Sequence, residues 1–241
     1  MQIRSAASTD IGKVRRANED RFVCDDSLLL YGVADGIGGL PGGAEAAQMA
    51  VTTLRKEIAA MPDGPIPDLV PVTRRVNQAV CSLAEKISPI GMGTTLTYAV
   101  LRENQFCLAH VGDSRCYRIR DGKLTPLTMD HTVENDARRR AAAGYAVYNE
   151  AQRKSLTRCI GQQGHPEVDT LQLPLQANDR YFFCSDGIDK AINELELAVM
   201  LTKDDAPADI LARLIATAND RGGRDNATGV LVYVDAPRRQ A

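Results

Sequence analysis

Four aspartates stand beside glycine or another small residue at the edge of an apolar run. Asp35, Asp113 and Asp186 each follow a run that predicts a strand, and Asp225 precedes the last such run. A single Asp-Gly pair is more often a turn signal than a metal ligand. Four clustered carboxylates, however, would repel one another and raise one another's pKa values, and divalent cations remove that penalty. Because hard oxygen ligands suit Mg²⁺ or Mn²⁺, these aspartates are candidate metal ligands.

The composition limits the function classes that this chemistry can serve. The chain has 241 residues, of which 44% are apolar, and a net charge of −2. It can bury a sizeable core in one domain, and it has no basic field that would attract nucleic acid. The first residues lack the apolar run of a signal peptide, and no segment approaches the ~18 apolar residues of a membrane span. We therefore expect a cytoplasmic protein that binds neither nucleic acid nor membrane.

The six cysteines do not suggest a metal or disulfide framework. They are scattered and contain no Cys-x-x-Cys pair, and most lie in apolar stretches. Such spacings argue against a zinc site, and buried free thiols fit a reducing compartment.

Helical and strand patterns alternate along the chain and must position the aspartates. Apolar residues recur at helical spacing over 47–58, 69–87 and about 206–221. Short apolar or β-branched runs predict strands, and several are joined by hairpin turns. These runs are 28–34, 94–101, 105–111, 116–119, 123–127, 180–184 and 228–234. Strands in hairpins with helices in pairs favour an antiparallel α+β layered fold over a parallel sheet.

Six motifs in the same order give the chain a specific resemblance. They are Thr9–Asp20, Asp35-Gly36-Ile37-Gly38-Gly39, Gly93–Leu96, Val111–Arg115, Cys184–Gly187 and Asp225–Thr228. Together they resemble the motifs of the bacterial type-2C, metal-dependent serine/threonine protein phosphatases over about residues 5–235. The resemblance implies one phosphatase domain over 1–241, with a central antiparallel β-sandwich flanked by helix pairs on both outer faces.

The resemblance also implies roles for the acidic residues. Asp35 would bridge two metal ions, and the Gly36 carbonyl would bind one of them. Asp186 and Asp225 would bind the other ion, and Asp113 with Asp186 would hold a third, weaker ion. Glu19 and Asp20 would orient waters on the metals, although on residue type alone they read as a solvated surface pair. Two Mn²⁺ or Mg²⁺ ions would share the water that attacks the phosphate.

Arg15 is the candidate for binding the substrate phosphate. It stands four positions before Glu19, which is the spacing in the family pattern, and a guanidinium can grip two phosphate oxygens. Arg16 competes by adjacency. If this segment is an extended strand, its neighbouring side chains point to opposite faces, and only one arginine can enter the site.

The chain departs from the family pattern at the proton donor. Many members have a histidine in or just after the Asp-Gly-x-Gly-Gly motif, where this chain has Ile37 and Leu40. His131 is a candidate by residue type, although a role in ordering its loop is equally open, and a metal-bound water could serve instead. The segment from about 144 to 160 corresponds to the mobile flap, within which Ser155 would give a backbone contact to the third ion.

The leading hypothesis is metal-dependent hydrolysis of phosphoserine and phosphothreonine on proteins by a monomer. Its partners would be a serine/threonine kinase and the kinase's substrates. A catalytically inactive module that binds phosphoproteins or a kinase is the alternative, although such copies tend to lose metal ligands. A two-metal phosphodiesterase or nuclease fits poorly, since the chain lacks a basic groove for nucleic acid.

Overall fold

Two five-stranded antiparallel sheets form the centre of the computed structural model, which describes residues 2–38, 41–62, 64, 66–88, 91–139 and 149–235. Sheet I contains β1 (Gln2–Asp10), β6 (Arg115–Arg120), β7 (Lys123–Pro126), β9 (Arg180–Cys184) and β10 (Ala227–Asp235), in the order β1-β10-β9-β6-β7. Sheet II contains β2 (Asp20–Asp25), β3 (Leu30–Asp35), β4 (Leu96–Arg102), β5 (Gln105–Val111) and β8 (Asp169–Pro174), in the order β2-β3-β4-β5-β8.

Seven helices accompany the sheets in the described part of the chain, and five of them cover the outer faces. They are α1 (Gly43–Ala59), α2 (Leu69–Ile87), α3 (Val133–Arg139), α4 (Glu150–Lys154), α5 (Asp186–Asp189), α6 (Glu194–Leu201) and α7 (Pro207–Asp220). Helices α1 and α2 pack on sheet II, and α5, α6 and α7 pack on sheet I. Helix α2 begins where the Asp68 side chain accepts a hydrogen bond from the Val70 N–H, and α7 begins at Pro207, whose fixed φ suits a first helical turn.

A third apolar layer fills the space between the sheets. Alternate residues of the facing strands contribute it, and Phe106 of sheet II stacks on Tyr181 of sheet I with ring centroids 3.9 Å apart. Burying one face of each sheet in this layer and the other under helices requires mainly apolar strands, as in the sequence of β4. The layers run helix, sheet, sheet, helix, and the predicted fold class is confirmed.

Strand direction brings the candidate aspartates to one end of the sandwich. In sheet II, β3 and β5 both pair antiparallel with β4, so their last residues lie at the same end of the sheet. Asp35 is the last residue of β3, and Asp113 follows β5. In sheet I, the last residue of β9 and the first residues of β10 lie at the same end of the sheet, and Asp186 and Asp225 lie there. Asp20, the first residue of β2, pairs with Asp35.

A buried ion pair joins β6 to the turn before β9. Asp179 is 1% exposed, and its carboxylate accepts hydrogen bonds from Arg120 Nε and Nη2, both at 2.6 Å. The Tyr181 hydroxyl at 3.0 Å and the Gln176 N–H at 2.9 Å also donate to it. The carboxylate is thereby satisfied from both sides, which a buried charge requires.

Two further expectations concern the chain as a whole. Within the described ranges, none of the helices has the length and apolar character needed to cross a bilayer. All six cysteines are free thiols, three of them buried and three half-buried. Burial raises the pKa of the Cys107 thiol, as expected for a cysteine that packs as a small apolar side chain.

Candidate active site

A cleft of about 470 Å³ opens between these strand ends of the two sheets. Both sheets contribute carboxylates to it, and the loop between β1 and β2 adds Arg15 and Glu19. The predicted residues that line it are Arg15, Glu19, Asp35, Gly36, Asp113, Ser155, Asp186 and Asp225. Asp20 and His131 do not line it, although Asp20 pairs with Asp35 from the neighbouring strand.

Two threonines fix the backbone of Asp35. Its carbonyl accepts hydrogen bonds from the Thr95 N–H at 2.8 Å and the Thr94 hydroxyl at 2.9 Å, and its own N–H donates to Thr95 Oγ1 at 2.9 Å. Thr95 in turn hydrogen-bonds the Ser114 hydroxyl at 2.7 Å. The loop that carries Asp35 is therefore tied to the one that carries Asp113.

Glycines allow backbone segments to approach one another at two points in the site. A Cβ on Gly187 would lie 2.0 Å from the Asn226 carbonyl oxygen, and one on Gly36 would lie 2.5 Å from the Gly43 carbonyl oxygen. A side chain at Gly187 would push the start of α5 away from the loop before β10. Asp186 and Asp225 can share the cleft because that contact is backbone against backbone.

Asn226 holds the Arg15 loop against sheet I. The Asn226 amide donates to the carbonyls of Ile11 at 2.9 Å and Ala17 at 3.1 Å, and its oxygen accepts from the Glu19 N–H at 2.8 Å. The residue is 4% exposed, so these bonds form away from solvent. One side chain thus positions both ends of the segment that brings Arg15 and Glu19 to the cleft.

The expectation that Arg15 and Arg16 belong to an extended strand is wrong. Both lie in the turn and bend between β1 and β2, which begins where Gly12 takes φ +80° and its N–H donates to Asp10 Oδ1 at 2.8 Å. The choice between the arginines is instead made by a direct contact. Both arginines are exposed, but Arg15 lines the cleft and its Nη2 donates to Asp225 Oδ2 at 2.7 Å, whereas Arg16 does not line the cleft.

The carboxylates perturb one another strongly. Burial, followed by the charges of Asp20, Asp186, Asp113 and Asp225, raises the pKa of Asp35 well above its ordinary value. Burial and then Asp186 raise the pKa of Asp113 to about 6. These are the shifts expected when like charges share a partly desolvated site.

Asp20 lies behind the cleft and is almost fully buried. Its Oδ2 accepts from the Ser185 hydroxyl at 2.7 Å, whereas Oδ1 is buried with no hydrogen-bond partner among the described residues. Burial is the main cause that raises the pKa of Asp20 to about 6. A buried oxygen with unused acceptor capacity next to Asp35 suits a bound water or ion.

Two side-chain cations engage the carboxylates. Arg15 is paired with Asp225, and the Lys190 ammonium, one helical turn after Asp186, contacts Asp186 Oδ2. Burial opposes the charge on Lys190, but Asp186 and then Asp113 still raise the pKa of the ammonium. Over the residues with described positions, no three Asp, Glu, His or Cys side chains form a finished set of metal ligands.

The residues nevertheless fit divalent cations. The donor set is entirely carboxylate and carbonyl oxygen, which Mg²⁺ and Mn²⁺ prefer. The raised pKa of Asp35 and the unpartnered Asp20 oxygen mark excess negative charge that Arg15 and Lys190 leave uncompensated. Cations placed among these carboxylates would relieve that repulsion.

His131 lies outside the cleft and orders a loop. It is 1% exposed; its Nδ1 accepts from the Gly112 N–H at 3.1 Å, and its Nε2 lies 3.3 Å from Asp169 Oδ2. Both ring nitrogens are therefore occupied by groups that hold the segment around Asp113 in place. Ile37 lines the cleft, and Leu40 falls outside the described residues.

Only part of the predicted flap falls on described residues, since 140–148 are outside them. From 149 onward the chain forms α4, which begins with a reciprocal cap between Asn149 and Gln152. Ser155 ends this helix at the wall of the cleft, and its carbonyl accepts from the Val133 N–H of α3 at 3.0 Å.

Sequence reasoning did not single out four residues that shape this site. Asn226, Thr94 and Thr95 belong to the quoted motifs, but the sequence assigns them no role. An asparagine beside a candidate metal ligand indicates a side chain that hydrogen-bonds backbone groups when it is buried. Lys190 had no visible role because α5, which places it one turn from Asp186, was not predicted.

Comparison with known proteins gives consistent matches over almost the whole chain. Residues 14–231 match the family model described as protein phosphatase 2C. The serine/threonine phosphatase stp of Listeria monocytogenes is 33% identical over 241 residues, covering 96% of each protein. The structure of the S. agalactiae serine/threonine phosphatase superposes with a TM-score of 0.86 at 29% identity, covering 97% of this chain and 100% of that one. The catalytic domain of the phosphatase PstP, in complex with two manganese ions, gives 0.81 at 31% identity, covering 97% and 99%.

Proposed function

Because the chain belongs to the protein phosphatase 2C family, we propose that it hydrolyses phosphoserine and phosphothreonine on proteins in the cleft between the sheet edges. The family's activity makes it a protein phosphatase with a divalent-metal requirement. The observation that carries the proposal is the cleft itself, in which carboxylates from four strand ends face an arginine. Its walls come from residues 15 to 226, which supports the proposal of one phosphatase domain over 1–241.

The metal ions are assigned to the carboxylates that the strands bring together. Asp35 and the Gly36 carbonyl would hold one core ion, and Asp35, Asp186 and Asp225 the other. When bound, two Mn²⁺ or Mg²⁺ ions supply the Lewis acidity that activates a water and offsets charge on the phosphoryl oxygens. The PstP catalytic domain was solved with two manganese ions, which supports Mn²⁺ as the first cation to test.

Glu19 and Asp20 would position waters around these ions. Glu19 lines the cleft with its backbone held by Asn226, and Asp20 keeps one buried oxygen available next to Asp35. Both can therefore accept hydrogen bonds from waters without moving the chain. This is the supporting shell that fixes ligand geometry in metal sites.

A third, weaker ion would bind between Asp113 and Asp186, near the backbone of Ser155. The Lys190 ammonium now contacts Asp186 on this side of the cleft. A third cation would have to displace that ammonium, so charge competition from Lys190 would weaken its binding.

Arg15 would bind the phosphoryl group. Its guanidinium reaches Asp225 from the mouth of the cleft and lies so close to Gly38 that a Cβ there would be 2.8 Å from Nη1. Rotation away from Asp225, once that carboxylate binds metal, would turn two N–H groups toward the substrate phosphate. The leaving alkoxide would take its proton from water, since no histidine lines the cleft within the described chain.

The substrates would be phosphorylated proteins, with a serine/threonine kinase and its targets as the proposed partners. The relatives named serine/threonine phosphatases support this class. We expect the cytoplasmic monomer predicted from the sequence to be sufficient for turnover, since one chain supplies every residue of the cleft.

The direct test is turnover of p-nitrophenyl phosphate with Mn²⁺, with and without EDTA. Activity should require the metal and should be abolished by Asp35→Asn, because that change removes a ligand charge from the centre of the set. Asp204→Asn, the same substitution at a fully exposed loop position, is the matched control. Circular dichroism should show all three proteins folded. A wild-type chain with no metal-dependent turnover would refute the enzyme and favour the binding-module alternative.

A further inference from the structure

A second groove of about 420 Å³ adjoins the proposed active site. The two cavities share Lys154, Lys190 and Asp225, so a ligand that fills the first can continue into the second. The groove lies between the end of α4, the start of α5, and the loop from α7 to β10. Small residues, Gly187, Ala191 and others, form part of its lining and leave room for an extended peptide.

The walls of this groove are cationic, although the chain as a whole is slightly acidic. Four cations line it, Lys154, Lys190, Arg221 and Arg224, against one carboxylate, that of Asp225. Asp225 is already paired with Arg15. Lys190 and Arg221 are paired with Asp186 and Glu196, so Arg224 is a cation that leaves the groove with positive charge beside a cleft rich in carboxylates.

Arg224 is the cation best suited to an external ligand. Arg221 is held by both oxygens of Glu196, at 2.7 and 2.8 Å, and Lys190 contacts Asp186. Arg224 is exposed, and no carboxylate in the described part of the chain pairs with it. A guanidinium without an internal partner can bind a carboxylate or phosphate through two parallel N–H groups.

The loop that carries Arg224 is held in one conformation. Gly223 takes φ +52°; its carbonyl accepts from the Lys13 N–H at 2.7 Å, and its N–H donates to the Ala218 carbonyl at 3.1 Å. A Cβ on Gly223 would lie 2.8 Å from the Lys13 nitrogen, so the backbone packs tightly there. Arg224 is thus presented from a fixed backbone next to Asp225.

We propose that this groove, with Arg224 at its centre, binds a second negative group of the substrate, either an acidic side chain or another phosphate near the residue being dephosphorylated. The inference rests on the proposed function, because it takes the adjoining cleft as the site of hydrolysis. The substrates it selects are acidic or multiply phosphorylated segments.

The test is a panel of phosphothreonine peptides that differ at one position. An otherwise alanine-flanked peptide receives either aspartate or a second phosphothreonine at each of the three positions on either side. A single well-placed aspartate should raise kcat/KM about threefold, the size of one exposed ion pair. A second phosphate, with about twice the charge, should raise it about tenfold. Both gains should shrink at high salt, because exposed charges are screened.

Arg224→Ala should remove the preference, and Arg224→Glu should turn it into discrimination against the acidic peptides. Arg74→Glu is the matched control, since Arg74 is exposed on α2, which covers the other sheet. Hydrolysis of p-nitrophenyl phosphate, which is too small to reach the groove, should be the same in all of these proteins.

The two readouts separate this inference from the proposed function. A wild-type protein that does not hydrolyse p-nitrophenyl phosphate would overturn the proposed function. The groove would then be tested by measuring the binding of non-hydrolysable phosphonate peptides with fluorescence anisotropy. In either assay, equal values across the peptide panel would overturn the groove assignment. So would a preference that survives unchanged in Arg224→Glu.

Discussion

Lowering the pH should destabilise the folded chain through one buried imidazole, that of His110 near the end of β5. The ring is 1% exposed, its Nε2 donates to the Met129 carbonyl at 3.1 Å, and its Nδ1 lies 2.8 Å from the Thr97 hydroxyl. Because a carbonyl can only accept, Nε2 carries the proton in the neutral ring, and Nδ1 faces the Thr97 hydroxyl, which also donates to the Ser114 carbonyl at 3.0 Å. A second proton would place a charge on a ring that is almost fully buried.

The size of the effect follows from the pKa of this ring. Burial, together with the neighbouring ring of His131, whose centroid is 4.5 Å away, lowers the pKa of His110 from 6.5 to about 4. In the unfolded chain the imidazole regains its ordinary pKa, so between these pH values the unfolded state binds more protons. Stability contributed by the neutral ring is therefore fully present above pH 6.5 and is lost as the pH falls toward about 4. A fall from 6.5 to about 4 is worth about 3 kcal/mol, at about 1.4 kcal/mol per pKa unit.

The assay is urea unfolding followed by circular dichroism across this pH range, with a chelator present so that metal binding adds no pH dependence. His110→Gln introduces a packing cost that does not change with pH, so the difference between its curve and that of the wild type isolates the titration. The two curves should converge by about 3 kcal/mol between about pH 7 and about pH 4. His165→Gln, at an exposed position, is the matched control and should run parallel to the wild type. Parallel curves for His110→Gln would refute the argument.

Three further predictions concern the site and the fold. Arg15→Ala should raise KM for p-nitrophenyl phosphate at least about tenfold, because a charge-assisted contact to the phosphate is lost; Arg16→Ala is the matched control, and equal KM values for the two variants would contradict the assignment. Isothermal calorimetry should show that Asp113→Ala binds one Mn²⁺ ion fewer at saturation. Lys190→Met should instead bind the weakest Mn²⁺ ion with higher affinity. Unchanged stoichiometry and affinity would refute the third site. Asp179→Asn should lower the free energy of unfolding by about 3 kcal/mol, because it leaves the Arg120 guanidinium without its charged partner. An unchanged urea midpoint would show that this ion pair contributes little to stability.

The fold could be predicted where strands are apolar and bounded by turn residues. The runs 105–111 and 180–184 coincide with β5 and β9, since each has both faces covered and ends at a charged or turn residue. The strands β1, β2 and β8 were not predicted. All three lie at sheet edges and are partly exposed. The sequences of β1 and β2 mix polar and apolar residues without alternation, so pairing with a neighbour rather than composition makes them strands. The alternation of polar and apolar residues in β8 was a usable signal.

Short helices escaped prediction for a different reason. Helix α5 has four residues, too few for a periodic apolar pattern, and it forms because Ser185 and Asp186 end a strand against the loop before β10. Helix α6 had a usable signal, the reciprocal cap between Asn193 and Glu196 at its start.

The four aspartates of the site could be identified from the sequence, because each stands just before or just after an apolar run. Two kinds of contact that organise them were not: hydrogen bonds between distant segments, and an ion pair within a helix that is too short to predict. Asn226 reaches back to residues near 11 and 17, and Lys190 reaches Asp186 only once α5 has formed. Hydrogen bonds between segments more than 200 positions apart leave no periodic trace in a single sequence.

The pairing of β1 with β10 places the first and last strands of the described chain side by side, with β10 between β1 and β9. On the ribosome, sheet I therefore has a gap between β1 and β9 until residues 227–235 emerge. Until then Asp225 has no strand to anchor it, and β1 can join the sheet only through β10. A chain that lacks residues 227–235 would consequently have no complete cleft between the two sheets.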